Sequence, residues 1–396
     1  MRPQPGHLTC TERRLAVGAR RMRPQAGCHL TSVVNLCLAE ERRKHGIAPA
    51  VRRFFRYASD IDEVWNMKAV ATKVKGIWVE KYGGPDVMSF QDVEIAPPGP
   101  GQALVRIHAS GVNFIDIYQR RGRYSVNLPY TPGLEASGVV EEVGEGVHVV
   151  KPGDRVSYTG QPGAYAELSL VKASSLIPLP EEMTFEQGAA FPLQGMTAHY
   201  LINEFRRPNE GDTVLIHAAA GGMGLLLVQW AKHLGARVIG TVSTEEKARI
   251  AREAGADEII LYTSQDFVAE TLRLTADQGA ELIIDGVGRT TFAGNLQCAA
   301  VRGNVVIFGS ASGEAEPIAP NSLQKRSLSV SGGSLFNYLR TREELMGRAA
   351  EVIAGIGQGW LKLRIDQVLP LSEAQRAHEL LEGRKTTGKL VLSAKG

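Results

Sequence analysis

From Lys68 onward, apolar and polar positions alternate in short runs, residues 75–79 and 103–108 among them, broken by Gly83-Gly84-Pro85 and by the turn-rich stretch 97–101. That texture predicts short strands joined by turns. Further strands are expected at 138–142 and at 155–158, the latter after Lys151-Pro152-Gly153-Asp154, whose Pro and Gly favour a turn. After Pro208 the pattern changes to strand and helix in alternation. Strands are predicted at 213–217, 237–242, 258–261, 281–285 and 304–308. Helices are predicted at 225–234, 244–254, 265–274 and 290–300, with Thr244 as an N-cap and Gly255 as a stop. The first region is thus a strongly bent β structure. The second reads as a parallel, doubly wound sheet with a ligand at its carboxyl edge.

Residues 1–66 show neither period and mix Arg pairs (Arg13-Arg14, Arg20-Arg21, Arg42-Arg43, Arg52-Arg53) with scattered Pro and Gly, so poor order is expected there. Three readings stay open: an upstream start with Met67 as the first residue of the functional chain, an organellar transit peptide, and a basic arm for nucleic acid. Clustered Arg is weak evidence for the third, since aromatic residues interleave with it only at 52–57.

At 396 residues the chain is about twice what one core organises, so two domains are expected. Apolar residues at 43% and charged residues at 22% exclude collagen, a coiled coil and disorder throughout. No apolar run reaches the roughly 18 to 20 residues that cross a bilayer. The net charge of +3 conceals an asymmetry, because residues 1–66 carry twelve Arg or Lys against six Asp or Glu, leaving the rest at −3. Three of the four cysteines (Cys10, Cys28, Cys37) lie in that leader and only Cys298 in the body, which excludes a disulfide framework and suits a reducing compartment.

The run Ala218-Ala219-Ala220-Gly221-Gly222-Met223-Gly224 falls between a predicted strand and a predicted helix. Gly221 lets the backbone approach a pyrophosphate, Gly224 permits close packing of helix on strand, and the free N–H groups at Ala220, Gly221, Gly222 and Met223 face the phosphates. Strand and helix on either side are the context the motif requires. At the tip of the second strand an NAD site would carry Asp or Glu; this chain has Thr241-Val242-Ser243-Thr244, then Glu245-Glu246-Lys247. Ser243 and Lys247 suit a 2′-phosphate, whereas the glutamates fit the first turn of a helix, so NADPH is expected. Tyr262 is placed to approach the adenosine or to pack as a half-buried aromatic.

The segments 111–118, 132–138, 218–224, 239–242 and 374–378 resemble the zinc-free quinone oxidoreductases, similar to zeta-crystallin, within the medium-chain dehydrogenase/reductase superfamily. The resemblance covers residues 67–396. It implies a GroES-like bent β-barrel catalytic domain built from both chain ends (67–191 and 332–396) around a Rossmann domain (192–331), with the active site in the cleft. A homodimer in the cytoplasm is implied as well, with organellar targeting left open by residues 1–66. In zinc relatives a Cys stands near Asn113 and a His where Leu134 sits, so no metal is expected here; the nine histidines show no ligand spacing.

By the same resemblance the catalytic candidates are Asn113 as an amide donor, Tyr118 and Tyr124 as pocket phenols, Asp116 as an orienting or turn-stabilising carboxyl, and Thr197 as a nicotinamide contact or helix N-cap. Gln194 replaces a Lys found in some relatives. Phe308, Gly309, Ser310 and Ala311, with Gly333, Ser334 and Leu335, are expected along the nicotinamide half of the cofactor, and Arg384 near the 2′-phosphate. His378 and Trp360 are read as packing residues. Without a Lewis acid the acceptor must need little activation, which suits hydride transfer to a quinone, with an α,β-unsaturated carbonyl as the alternative. A non-catalytic NADPH- or RNA-binding, crystallin-like role is the third reading.

Overall fold

A computed structural model describes residues 71–394; the expectations for residues 1–66 lie outside the described residues. The barrel begins with β1 (Thr72–Val79) and β2 (Met88–Ile95), an antiparallel pair, and continues through β3 (Gln102–Val112), helix α1 (Phe114–Arg120), β4 (Glu135–Val143), β5 (Arg155–Thr159), β6 (Leu168–Lys172) and β7 (Ile177–Pro178). A one-turn helix α2 (Phe185–Gly188) and helix α3 (Pro192–Asn203) lead into the nucleotide region.

There β8 (Thr213–Ile216), α4 (Gly222–His233), β9 (Arg237–Val242), α5 (Glu245–Glu253), β10 (Glu258–Leu261), α6 (Phe267–Leu274), β11 (Ala280–Asp285), α7 (Phe292–Cys298), β12 (Ala299–Ile307) and β13 (Ser329–Gly332) follow. All its strand pairs are parallel, in the order β10-β9-β8-β11-β12-β13. The order reverses beside β8, which opens a crevice at its carboxyl end where ligands bind in such sheets. Thr244 caps α5 by accepting from Lys247 N–H, and Gly255 ends it at φ +112°. Helix α7 is shorter than expected because β12 starts early, with Ala299 paired to Ala280 before the register shifts.

The chain then forms α8 (Arg342–Gly357), β14 (Ile365–Pro370), α9 (Ala374–Glu382) and β15 (Lys389–Ser393). β15 lies antiparallel to β3, with Leu390 opposite Val112, so the last strand completes a sheet begun by the third. Leu335, Leu345, Ala349, Val352 and Leu361 join the apolar cluster of α3, α4 and β8, whereas Leu369, Leu371, Ala374, Ala377, Leu390 and Leu392 join the barrel cluster. Strands β2 and β13 escape sequence reading because most of their side chains are exposed and no alternation marks an inner face. Among the described residues no helix is long and apolar enough to cross a membrane.

Candidate active site

The nucleotide side is made of backbone. Helix α4 starts at Gly222 with Gly221 as its N-cap, and no side chain caps it, so its first-turn N–H groups lack intrahelical acceptors. Gly224 admits nothing larger: a Cβ there would stand 2.3 Å from the Ala218 oxygen. A Cβ on Gly222 would meet the Gln194 amide at 2.6 Å, so that side chain lies directly over the turn. Ala218 itself adopts φ +51°. Ala220 is buried and Met223 half-buried against the core behind the turn.

At the tip of β9, Lys247 Nζ donates to the Arg384 carbonyl over 2.9 Å, which joins two residues 137 positions apart. Ser243 is half-buried beside them, and its carbonyl accepts from Thr263 Oγ1. Tyr262, 43% exposed, donates its N–H to Val242 and stands on the neighbouring strand tip, more open than a half-buried packing residue. Glu245 and Glu246 point to solvent in the first turn of α5. Uncapped N–H groups, the Ser243 hydroxyl and the Lys247 ammonium are donor chemistry that fits the phosphates of NADPH, with the Arg384 backbone at the same tip.

Along the sheet edge, Phe308 covers Gly286, whose Cβ would meet its ring at 2.6 Å, and Gly309 crosses close to the Gly286 oxygen. Ala311 is exposed and donates its N–H to Gly286. Gly333 accepts from Tyr200 Oη over 3.0 Å, and Ser334 opens a single 3-10 turn. Leu335 departs from expectation, since its side chain is buried in the core and only its backbone can face a ligand.

The barrel side is made of buried side chains. Glu135, at the head of β4, is fully buried. Its Oε2 accepts from Lys389 Nζ at 2.6 Å and from Asn113 Nδ2 at 2.9 Å, and its Oε1 accepts from the Leu193 N–H at 2.6 Å. The last contact caps the first turn of α3 from another domain. Lys389 also donates to Asn113 Oδ1 at 2.6 Å. One carboxylate therefore ties together β4, α1, α3 and β15. A recess of about 10 Å³ between Gln194, Gly222, Leu225 and Lys389 connects this junction with the glycine turn.

The structure bears on three of the expected residues here. Asn113 Nδ2 donates to Glu135 and Gly111 and its oxygen accepts from Lys389, so with 3% exposure the amide has no free group for a substrate. Asp116 is fully buried; its Oδ2 accepts from the Asn113 N–H at 2.8 Å and from Tyr165 Oη at 3.0 Å, a turn-stabilising arrangement. Burial pushes the Asp116 carboxyl up to about 7, against the pull of the Asn113 N–H and Tyr165. Tyr165 also reaches His378 Nε2 at 3.3 Å, and burial, with Arg120 nearby, lowers that imidazole to about 3. Thr197 is 7% exposed and sits inside α3, which Pro192 opens, so the N-cap alternative fails.

Tyr118 and Tyr124 meet ring to edge at 5.4 Å, and Tyr124 is 49% exposed. Burial raises the Tyr118 phenol above its ordinary value, with Arg123 and Ser310 pulling the other way. Arg123 closes the group from below: Nη2 donates to Ser310 Oγ at 2.7 Å and Nη1 to the Ser310 carbonyl at 3.3 Å. Sequence reading missed Arg123, Glu135 and Lys389. Each is an ordinary charged residue in a strand or loop, and nothing local marks it as inward-facing.

Among the described residues no group of three His, Cys, Asp or Glu is arranged to hold a metal. The sequence matches the family models for a zinc-binding dehydrogenase over 222–351 and an alcohol dehydrogenase GroES-like domain over 99–181. It is 44% identical to a quinone oxidoreductase of Pseudomonas aeruginosa, over 80% of this chain and 99% of that protein. A 2-haloacrylate reductase of a Burkholderia species is 40% identical, over 79% of this chain and 97% of that protein. The structure of an Escherichia coli quinone oxidoreductase complexed with NADPH superposes with a TM-score of 0.77 at 40% identity, covering 81% of this chain and 99% of that one. A GroES-like barrel, a six-stranded parallel sheet and this identity over nearly the full length of the relatives make the chain a member of the quinone oxidoreductase family of the medium-chain dehydrogenase/reductase superfamily.

Proposed function

We propose that this protein is an NADPH-dependent quinone reductase in which protein groups position both partners. The carrying observation is the uncapped start of α4 beside an acid-free strand tip where Lys247 and Arg384 converge. Gly221, Gly222, Met223 and Gly224 would hold the pyrophosphate, and Ser243, Lys247 and Arg384 the 2′-phosphate, with Tyr262 against the adenosine. Bound NADPH supplies a hydride from the nicotinamide ring. Phe308 to Ala311 and the backbone of Gly333 to Leu335 would shape the channel for the nicotinamide half. Tyr118 and Tyr124 wall the acceptor side and limit water there, which strengthens every polar contact on a developing oxyanion. The proton comes from solvent at the half-exposed phenols.

In this reading Asn113, Asp116 and Thr197 act behind the reacting groups, as positioning residues. The proposed nucleotide unit keeps 192–331 and extends through Leu361, because the intervening helix packs with α3, and the barrel resumes at β14. The solvent-facing edge β13 supports a homodimer through sheet pairing. The buried, unpaired Cys298 suits a cytoplasmic location. Identity to a 2-haloacrylate reductase favours conjugated carbonyl acceptors as the second reading.

The test follows NADPH and NADH oxidation with a quinone panel and an enone panel. NADPH is expected to be preferred, and Lys247→Ala should lower kcat/KM for NADPH by about 10- to 100-fold while leaving NADH unaffected, as for loss of one charge-assisted contact. Equal rates with both carriers would refute the phosphate assignment. Binding without turnover would refute the enzyme.

A further inference from the structure

The acceptor cleft holds a cation that neutral quinone reduction does not call for. Arg123 follows α1 in a short loop and lies with its Cζ 4.9 Å from the Tyr118 ring centre, so the aromatic face fixes the plane of the guanidinium. Its two terminal nitrogens point at Ser310, one to Oγ and one to the carbonyl. Those contacts occupy two of five N–H groups and leave the Nε side of the fork free.

An anion already stands near the fork. Glu314 Oε1 stands 3.5 Å from Nη2, beyond hydrogen-bond range, and its side chain is 82% exposed while that of Arg123 is 30% exposed. A loose, solvated counterion of this kind contributes little and is cheaply displaced. The neighbouring Arg120 and Arg121 are committed elsewhere, both to Glu382, at 2.5 and 2.9 Å. Arg123, beside Tyr118 and Tyr124, is therefore the arginine of this loop without a close carboxylate partner, and a planar fork matches two oxygens of one anionic group.

Building on the quinone-reductase reading, we propose that Arg123 is the anion-recognition residue of the acceptor cleft. It selects conjugated carbonyl acceptors that carry a carboxylate or sulfonate, and Glu314 is the displaceable counterion that keeps its place. On binding, the acceptor's anionic group takes the Nε edge and displaces Glu314 from beside Nη2, and the Ser310 contacts hold the fork in register.

The experiment compares 1,4-naphthoquinone-2-sulfonate with 1,4-naphthoquinone, in the wild type and in Arg123→Met, Arg123→Lys and Glu314→Gln. The readout is the ratio of kcat/KM for the sulfonate to that for the neutral quinone; taking each variant against the wild type cancels the intrinsic reactivity of the two acceptors. Arg123→Met should lower the ratio about 10- to 100-fold, the size of one charge-assisted contact. Arg123→Lys should recover part of it, because the charge returns without the fork. Glu314→Gln should raise it, and added salt should erode that gain. An unchanged ratio in Arg123→Met, including an equal loss with both acceptors, overturns the proposal and leaves Arg123 as a clasp or a general oxyanion stabiliser. If the wild type turns over neither acceptor, the functional reading fails instead. Fluorescence titration of the two naphthoquinones against wild type and Arg123→Met then decides the anion preference without turnover.

Discussion

The two walls of the cleft are built from different materials. The nucleotide wall presents main-chain N–H groups at the glycine turn and short strand tips, and its side chains matter mostly by being small. The barrel wall rests on an ionised pair, Glu135 and Lys389, with 0% and 3% side-chain exposure and almost every polar contact made. A backbone site tolerates change in side chains that point away from it but not added bulk. A buried ionic junction tolerates bulk poorly and loss of one charge worse.

The sharpest way to break this contrast is Lys389→Met, which strands the Glu135 carboxylate without its counterion. It should cost about 3–5 kcal/mol of folding stability, and adding Glu135→Gln should restore most of that. Denaturant unfolding of the wild type and the two variants checks it, and a single variant no worse than the double would show that the pair is not a junction. On the other wall, Gly224→Ala drives a methyl to 2.3 Å from the Ala218 oxygen. A loss of about 1–3 kcal/mol in stability is expected, together with weakened NADPH affinity. Fluorescence titration with unaltered affinity would mean that the turn is looser than its geometry implies.

A smaller effect probes the polar residues beneath the barrel wall. Burial, with Arg120 nearby, holds the His378 ring down to about 3, whereas an unfolded histidine titrates near 6.5. Below about 6.5 the unfolded chain gains a proton that the folded chain refuses, so this contribution is full above that value and fades as pH falls toward about 3. At pH 5.5 the wild type should have lost about 1 kcal/mol through this group, a loss absent from His378→Phe. Asp116, pushed up to about 7, works in the opposite sense: its contribution fades as pH rises from about 4 toward 7. Thermal unfolding of wild type and His378→Phe between pH 5 and 7.5 measures the difference, and parallel curves would mean that the ring is protonated in the fold.

The nucleotide wall was legible because each of its parts is local. A strand, a glycine turn and a helix occupy consecutive residues, and periodicity together with glycine spacing reports them directly. The strand tip with Ser243 and Lys247 was legible for the same reason. Arg384 and Leu335 were harder, since resemblance supplies their neighbourhood and only packing shows that Arg384 meets Lys247 through its carbonyl while Leu335 turns inward. Arg123 gave no signal, because one arginine in a loop reads as a solvated charge until Ser310 is brought under it.

Order along the chain was enough to specify the alternating strand and helix pattern, the phosphate-binding turn and the missing acid at the strand tip, because these rest on neighbours within a few residues. Tertiary structure alone decided which charges are buried and against what. Glu135, Lys389, Asn113 and Leu193 lie up to 276 positions apart, and the two Lys389 hydrogen bonds exist only once the last strand has closed against the third. Burial, which converts an ordinary Glu and Lys into a fixed junction, is a property of that closure and has no counterpart in local spacing.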